Sequence, residues 1–249
     1  MKSVLTIAGL DPSGGAGILT DVKTIRILNF FPSSAVTAIT YQNTCGVYGI
    51  HEVEPECLER QILAVIEDLK LAGVKVGLVC SVNSANVIAK LIKDLDVPKV
   101  VDPVIKATMG FKFSGKEVYS ILAEVCDVIT PNADEASKLS EMEVKDVESA
   151  KEAAKAIADR FGCSVVVTGG SLGGKDVVFD VDTGRLFVIE GKIIDMEIHG
   201  TGCVYSSALT CYLAKGLRLH EACKNAREFV YKSVLNSIEV GRCLRVTGV

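Results

Sequence analysis

The chain has 249 residues, 49% of them apolar, 6% aromatic and none tryptophan, with a formal net charge of -4 at pH 7. That charge excludes general nucleic-acid binding, which needs a basic face to displace counterions from phosphates, and no run approaches the roughly 20 apolar residues of a membrane helix. A core of Val, Ile, Leu and Ala in one chain of this length favours a single α/β domain over residues 1–249.

The apolar start Val4-Leu5-Thr6-Ile7-Ala8 is short and runs into Asp11-Pro12-Ser13-Gly14-Gly15, so a buried strand is expected there rather than a secretory leader. The nine cysteines are odd in number and none forms a CxxC pair, which predicts free thiols in a reducing cytoplasm. Further strands are predicted at 35–40, 74–77, 99–101, 128–130 and 164–167, with helices between most of them. Leu58, Ile62, Val65, Ile66 and Leu69 share one face of a helix predicted over 56–69, and Val87, Ile88, Leu91, Ile92 and Leu95 repeat the spacing. Such alternation implies a largely parallel sheet covered on both faces. Runs at 177–181 and 186–189 flank Asp182-Thr183-Gly184-Arg185 and predict a hairpin, the one antiparallel excursion expected. Helices over 203–215 and about 220–239, separated near Gly216, close the chain.

Ligands of open parallel sheets bind beyond the carboxyl ends of the strands, and four loops there are unusual. After the first strand, Gly9-Leu10-Asp11-Pro12-Ser13-Gly14-Gly15-Ala16-Gly17 lets backbone pass close to a ligand, or serves as a tight turn with Asp11 or Ser13 as helix cap. Neither GK[ST] nor GxGxxG is present, which disfavours a P-loop or a dinucleotide-binding site. Asp102-Pro103-Val104 and Thr130-Pro131-Asn132-Ala133-Asp134-Glu135 place carboxylates at the same edge. Asn132 and Glu135, one helical turn apart, are either oxygen ligands for Mg²⁺ or a capping box. Thr168-Gly169-Gly170-Ser171-Leu172-Gly173-Gly174 is a polar loop suited to lie along a nucleotide. The strongest signal is His199-Gly200-Thr201-Gly202-Cys203, glycines opening a helix, which expose backbone N–H groups and form an anion hole with Cys203 at its focus.

GLDPSGGAGILTDVKT, QNTCGV, VDPV, TPNADEA, VVVTGG and HGTGC follow one another over nearly the whole chain. Together they resemble the hydroxymethylpyrimidine and phosphomethylpyrimidine kinases of the ribokinase-like superfamily. The resemblance implies a three-layer α/β/α sandwich with a mostly parallel central sheet, a homodimer, and ATP- and Mg²⁺-dependent phosphorylation of 4-amino-5-hydroxymethyl-2-methylpyrimidine and its monophosphate. It implies that Gly9, Asp11, Ala16, Thr40, Gln42, Leu78 and Val104 surround the pyrimidine. Asn132, Thr168, Gly170, Thr201 and Gly202 match the nucleotide side, and Glu135 with Asn132 the metal. Gly200, Thr201, Gly202 and Cys203 match the catalytic loop, with Cys203 where relatives carry a catalytic Asp.

Two departures stand out. Ser171 replaces the usual His after the glycine pair, and the tail Val240-Gly241-Arg242-Cys243-Leu244-Arg245-Val246 lacks the family's Gly-rich ending. A pyridoxal kinase of the same branch is the nearest alternative, against which the Gln42-Asn43-Thr44 stretch argues, since the glutamine amide can pair with an aminopyrimidine edge. A Cys-nucleophile hydrolase using His199 and Cys203 lacks an orienting third group. A nonenzymatic pyrimidine-binding module would require damage to the anion hole or the carboxylates, which the sequence does not show. His51 and His220 lack metal-ligand spacing.

Overall fold

The computed structural model describes residues 1–107, 110–192 and 196–249. In chain order the elements are β1 (Ser3–Leu10), α1 (Gly17–Ile27), β2 (Phe31–Asn43), β3 (Gly46–Glu52), α2 (Pro55–Asp68), β4 (Leu71–Val76), α3 (Val82–Ile92) and β5 (Lys99–Val101). Then come α4 (Lys116–Ala123), β6 (Val128–Ile129), α5 (Ala133–Ser140), α6 (Val147–Phe161), β7 (Ser164–Val167), β8 (Lys175–Asp180) and β9 (Arg185–Glu190). The chain closes with β10 (Ile198–His199), α7 (Thr201–Ala214), α8 (Leu219–Leu235) and β11 (Arg245–Val246). Among the described residues no helix is long and apolar enough to cross a membrane.

Nine strands form one sheet in the order β3-β2-β1-β4-β5-β6-β7-β8-β9. The pairs from β2 to β7 are parallel, and β3, β8 and β9 are antiparallel additions at the two edges. Strand direction of travel reverses between β1 and β4, the switch point where the ends of neighbouring strands diverge into a crevice.

Alternation along each strand builds the three layers. Leu5 and Ile7 of β1, Val101 of β5 and Val165 and Val167 of β7 join Leu58, Ile88, Leu122, Leu139 and Ile157 on one face, under α2 to α6. Val4, Val100 and Val166 turn the other way, onto Ile25 of α1, Leu209 of α7 and Ala222 and Ala226 of α8. The α/β/α expectation holds.

Three expectations fail. The hairpin at 177–189 is not the one antiparallel excursion, because β2 runs to Asn43 and pairs with β3. The final helix stops at Leu235, after which Ile238 and Val246 exchange backbone hydrogen bonds and β11 lies parallel to β10. The thiols are not all free: Cys45, in the β2–β3 turn, is disulfide-bonded to Cys243 in the tail.

The sheet face under α1 and α7 carries an ion pair instead of a hydrocarbon contact. Lys75 of β4 and Asp21 of α1 are both 0% exposed, with Nζ 2.9 and 3.1 Å from the two carboxylate oxygens. Thr6 of β1 donates to Asp21 Oδ2 at 2.6 Å and Ser207 of α7 to Oδ1 at 2.8 Å. The four bonds satisfy a charge that burial alone would make costly. Lys75→Met, which strands the Asp21 carboxylate, is expected to lower unfolding free energy by about 3–5 kcal/mol. Adding Asp21→Asn to it should recover at least half of that loss in urea titrations; equal stability of the single and double variants would show that the charge is not what matters.

Candidate active site

The strand ends open into one cavity of about 480 Å³. Every site residue expected from sequence lines it: Gly9, Asp11, Ala16, Thr40, Gln42, Leu78, Val104, Asn132, Glu135, Thr168, Gly170, Gly200, Thr201, Gly202 and Cys203. Contact with the cavity does not give them the expected roles in every case.

Asp11 is a hub. Its carboxylate accepts from Ser13 N (2.9 Å), Ser13 Oγ (2.7 Å), Ala16 N (3.0 Å) and Gln42 Nε2 (3.2 Å), and His199 Nε2 stands 3.0 Å from Oδ2. Burial pushes its pKa up, but the bonds from His199 and Ser13 outweigh that and hold it below the usual carboxylate value. A carboxylate so fully engaged shapes the glycine loop rather than meeting a ligand with free lone pairs. Gly17 makes the loop possible: its φ is +59°, and a Cβ there would overlap the Gly9 carbonyl.

Gln42 is likewise engaged. Its Oε1 accepts from Thr40 Oγ1 at 3.2 Å, and Nε2 lies 2.8 Å from His199 Nε2 besides reaching Asp11. Because His199 Nε2 gives its proton to Asp11, it has no lone pair for the Gln42 amide. A two-point pair with an aminopyrimidine therefore requires only that the close His199 ring give way to the ligand beside Oε1 and the second N–H of Gln42. Further along the sheet edge, Leu78 is fixed by Thr37 Oγ1 donating to its carbonyl at 2.6 Å, and Val104 by Tyr119 Oη donating at 3.0 Å.

β10 leads through His199 into Gly200, the cap of α7, at φ +91°. A Cβ on Gly200 would overlap the Gly15 carbonyl, so only glycine lets the two loops touch. The first N–H groups of α7, on Thr201, Gly202 and Cys203, have no intrahelical partner and border the cavity. One turn on, Ser206 Oγ donates to Asp102 Oδ2 at 3.0 Å and Ser207 to Asp21, so two carboxylates pin this helix end. Desolvation pushes the Cys203 thiol up to about 12, Lys75 opposing and Asp21 and Asp102 reinforcing the shift. The thiol is therefore protonated at neutral pH, and the helix N-terminus does not make it a thiolate.

Asn132 and Glu135 form the capping box: Asn132 Oδ1 accepts from Glu135 N and Glu135 Oε2 from Asn132 N, each at 2.9 Å. Glu135 Oε1, with Ile105 N at 3.4 Å, is the less committed oxygen. Burial, then the nearby Asp102 charge, push Glu135 up to about 8. Burial pushes Asp102 up as well, with Lys75 opposing, so both carboxyls at this cavity wall hold a charge only at a cost that a bound cation would relieve.

At the far end, Thr168 N donates to Pro131 O at 2.9 Å. Asp176, wholly buried, accepts from Gly169 N at 2.7 Å and pairs with Arg227 of α8 at 2.6 Å, and Arg227 also donates to Gly174 O. The glycine loop is thus held from below by charge. The sequence reading missed Lys75, Asp176, Arg227 and His199 as site residues, and left Asp102 unassigned. For His199 and Asp102 the adjoining motifs were a signal; for the others the partner lies too far along the chain.

Iodoacetamide at pH 7.5 is expected to label exposed Cys57 at least about tenfold faster than Cys203, read by peptide mass. Equal rates would mean that Cys203 is ionised and accessible.

The phosphomethylpyrimidine kinase family model matches residues 11–247. The hydroxymethylpyrimidine/phosphomethylpyrimidine kinase of Haemophilus influenzae is 35% identical, over 97% of this chain and 94% of that protein. The thiamine biosynthesis bifunctional protein ThiED of Geobacter sulfurreducens is 37% identical over 96% of this chain, which spans 50% of it. Among solved structures, the ADP complex of Bacillus subtilis pyridoxal kinase superposes with a TM-score of 0.88 at 33% identity, covering 99% of this chain and 96% of that one. With its glycine-capped α7 and its cavity at the sheet's switch point, the chain belongs to the phosphomethylpyrimidine kinase family.

Proposed function

We propose that this phosphotransferase moves the γ-phosphoryl group of ATP to the hydroxymethyl oxygen of 4-amino-5-hydroxymethyl-2-methylpyrimidine, and then phosphorylates the monophosphate, giving the diphosphate used in thiamine biosynthesis. The observation that carries the reading is that one cavity joins the Gln42 corner to the glycine loop at Thr168–Gly170, with the N-terminus of α7 between them. An acceptor alcohol and a nucleotide placed at these two ends meet at the unpaired N–H groups of Thr201, Gly202 and Cys203.

In the transfer the acceptor oxygen forms a bond to phosphorus as the bond to the β–γ bridging oxygen breaks, and ADP leaves with that electron pair. The helix N-terminus supplies donors preorganised for the charge on the transferring group. Cys203, as a neutral thiol, acts by fitting the acceptor oxygen beside those donors rather than by taking its proton. Because the transition state is loose, the hydroxyl proton leaves late, to an oxygen of the transferred phosphoryl group or to water, and a strong base contributes little.

Magnesium fits the wall at Glu135 and Asp102, two carboxyls that burial pushes up and a cation would draw back to the charged form; bound there, it would neutralise charge on the ATP phosphates. Glu135 Oε1 and Asp102 would hold it, with Asn132 fixing Glu135 through the capping box. Among the described residues no cluster of three or more His, Cys, Asp and Glu forms a protein-only metal cage, which accords with an ion that keeps water and phosphate ligands. A homodimer is supported by Ile39, Tyr41 and Tyr48, 41, 56 and 69% exposed on the β2–β3 hairpin at the sheet edge. ATP as donor accords with a cytoplasmic site of action.

Purified protein with ATP and magnesium should convert the aminopyrimidine to mono- and diphosphate by mass; phosphorylation of pyridoxal alone would transfer the assignment to the other activity of this branch. Gln42→Leu should lower kcat/KM for the aminopyrimidine at least about 10²-fold with the ATP KM within about twofold. An unchanged preference over pyridoxal would remove Gln42 from recognition. Glu135→Gln should raise the magnesium concentration for half-maximal rate about tenfold or more without changing the pyrimidine KM; an unaltered magnesium titration would leave Glu135 as a cap only.

A further inference from the structure

The segment after α8 is a strap with three fastenings. At its base, Arg245 Nε donates to Ser237 Oγ at 3.1 Å and Gly248 N to Ser233 O at 2.9 Å. In the middle, Val246 pairs with His199 across β10 and β11, and both side chains pack over Gly15, where a Cβ would not fit. At the tip, Leu244 N donates to Thr44 O at 3.1 Å, Gly241 lies against the Thr44 side chain, and Cys243 is bonded to Cys45.

The tip and the middle fall on the two segments that meet at Gln42. Thr44 and Cys45 follow it in the β2–β3 turn, and His199, its neighbour at 2.8 Å, ends β10 next to the cap of α7. A small cavity between strap and turn is lined by Gln42, Thr44, His199 and Leu244. Movement of the tip therefore reaches Gln42 through the turn, and the His199 ring through the small cavity that Leu244 shares with both.

We propose that the Cys45–Cys243 bond is a redox-dependent positioning element for the acceptor side of the active site: closed, it clamps the strap on the β2–β3 turn and holds Gln42 and His199 on Asp11. Which acceptor is positioned rests on the pyrimidine reading above. Forming the bond removes two electrons and two protons from the two thiols, taken up by an oxidised disulfide carrier through thiol–disulfide exchange; a reduced dithiol returns them. Cys243 is exposed, so a dithiol can reach it. The base and middle fastenings contain no sulfur, so reduction frees the tip without releasing the strap. An exposed disulfide in a reducing compartment is characteristically a sensing one.

The test begins with thiol counting: protein purified without reductant and then denatured should show seven reactive thiols, matching the seven free cysteines, and nine after reduction. Hydrogen exchange at Leu244 and across 41–46 should speed up on treatment with dithiothreitol, while 246–248 keeps its protection. Dithiothreitol should raise the acceptor KM on the order of tenfold, through lost ordering of two side chains, and leave the ATP KM within about twofold. Cys243→Ser should start from the raised KM and ignore dithiothreitol. Nine thiols without reductant, unchanged exchange at Leu244, or an acceptor KM insensitive to reduction in the wild type each overturns the proposal. Thiol counting and exchange need no substrate, and the kinetics are run with both the aminopyrimidine and pyridoxal, so a wrong acceptor assignment is told apart from a wrong strap.

Discussion

The Asp21 carboxylate, wholly buried between the sheet and two helices, is the contact on which the site depends. It takes hydrogen bonds from β1 through Thr6, from β4 through Lys75 and from α7 through Ser207. Because Ser207 lies one helical turn after Cys203, the same carboxylate that closes the layer also fixes the height of the anion hole above the strand ends. Apolar packing alone would let α7 slide along its axis by fractions of a turn; a charged acceptor with defined partners does not. Ser206 on Asp102 adds a second point, so both rotation and translation of the helix start are set.

Charge is distributed unevenly around the cavity. Asp21 has its counter-ion in Lys75 and Asp176 has Arg227, whereas Asp102 and Glu135 line the cavity and are pushed up by burial, Lys75 only partly offsetting this at Asp102. The two ion pairs are structural, and the two cavity carboxyls are the ones a ligand can reach. Cationic partners near a transferring phosphoryl group strengthen as water is excluded. The neutral Cys203 thiol fits this division of labour, because an additional anion at the focus of the hole would oppose the incoming phosphate.

Much of this arrangement was legible in the residues because it is local. The apolar run of β1 followed by glycines, the Asn132–Glu135 spacing and the glycine start of α7 each encode their geometry within about ten positions. What escaped was long-range or masked. β3 was invisible because Gly46 and Gly49 interrupt its pattern, yet Gly49 is there to make room for the Tyr41 ring across the hairpin. Lys75 falls within the strand expected at 74–77, but its partner lies 54 positions earlier. Cys45 and Cys243 are 198 apart, beyond any spacing rule. The Asn132–Glu135 pair carried two meanings, and the capping box belongs to the fold whether or not a cation joins it.

The measurement that bears most directly on the account is a crystal structure with ADP, magnesium and 4-amino-5-hydroxymethyl-2-methylpyrimidine bound together. The account predicts the ring beside Gly9, Leu78 and Val104 with its amine toward Gln42, its hydroxymethyl oxygen next to Cys203, and the ADP β-phosphate facing the N–H groups of Thr201 and Gly202. A pyrimidine outside this cavity, or a β-phosphate turned away from the start of α7, would contradict it.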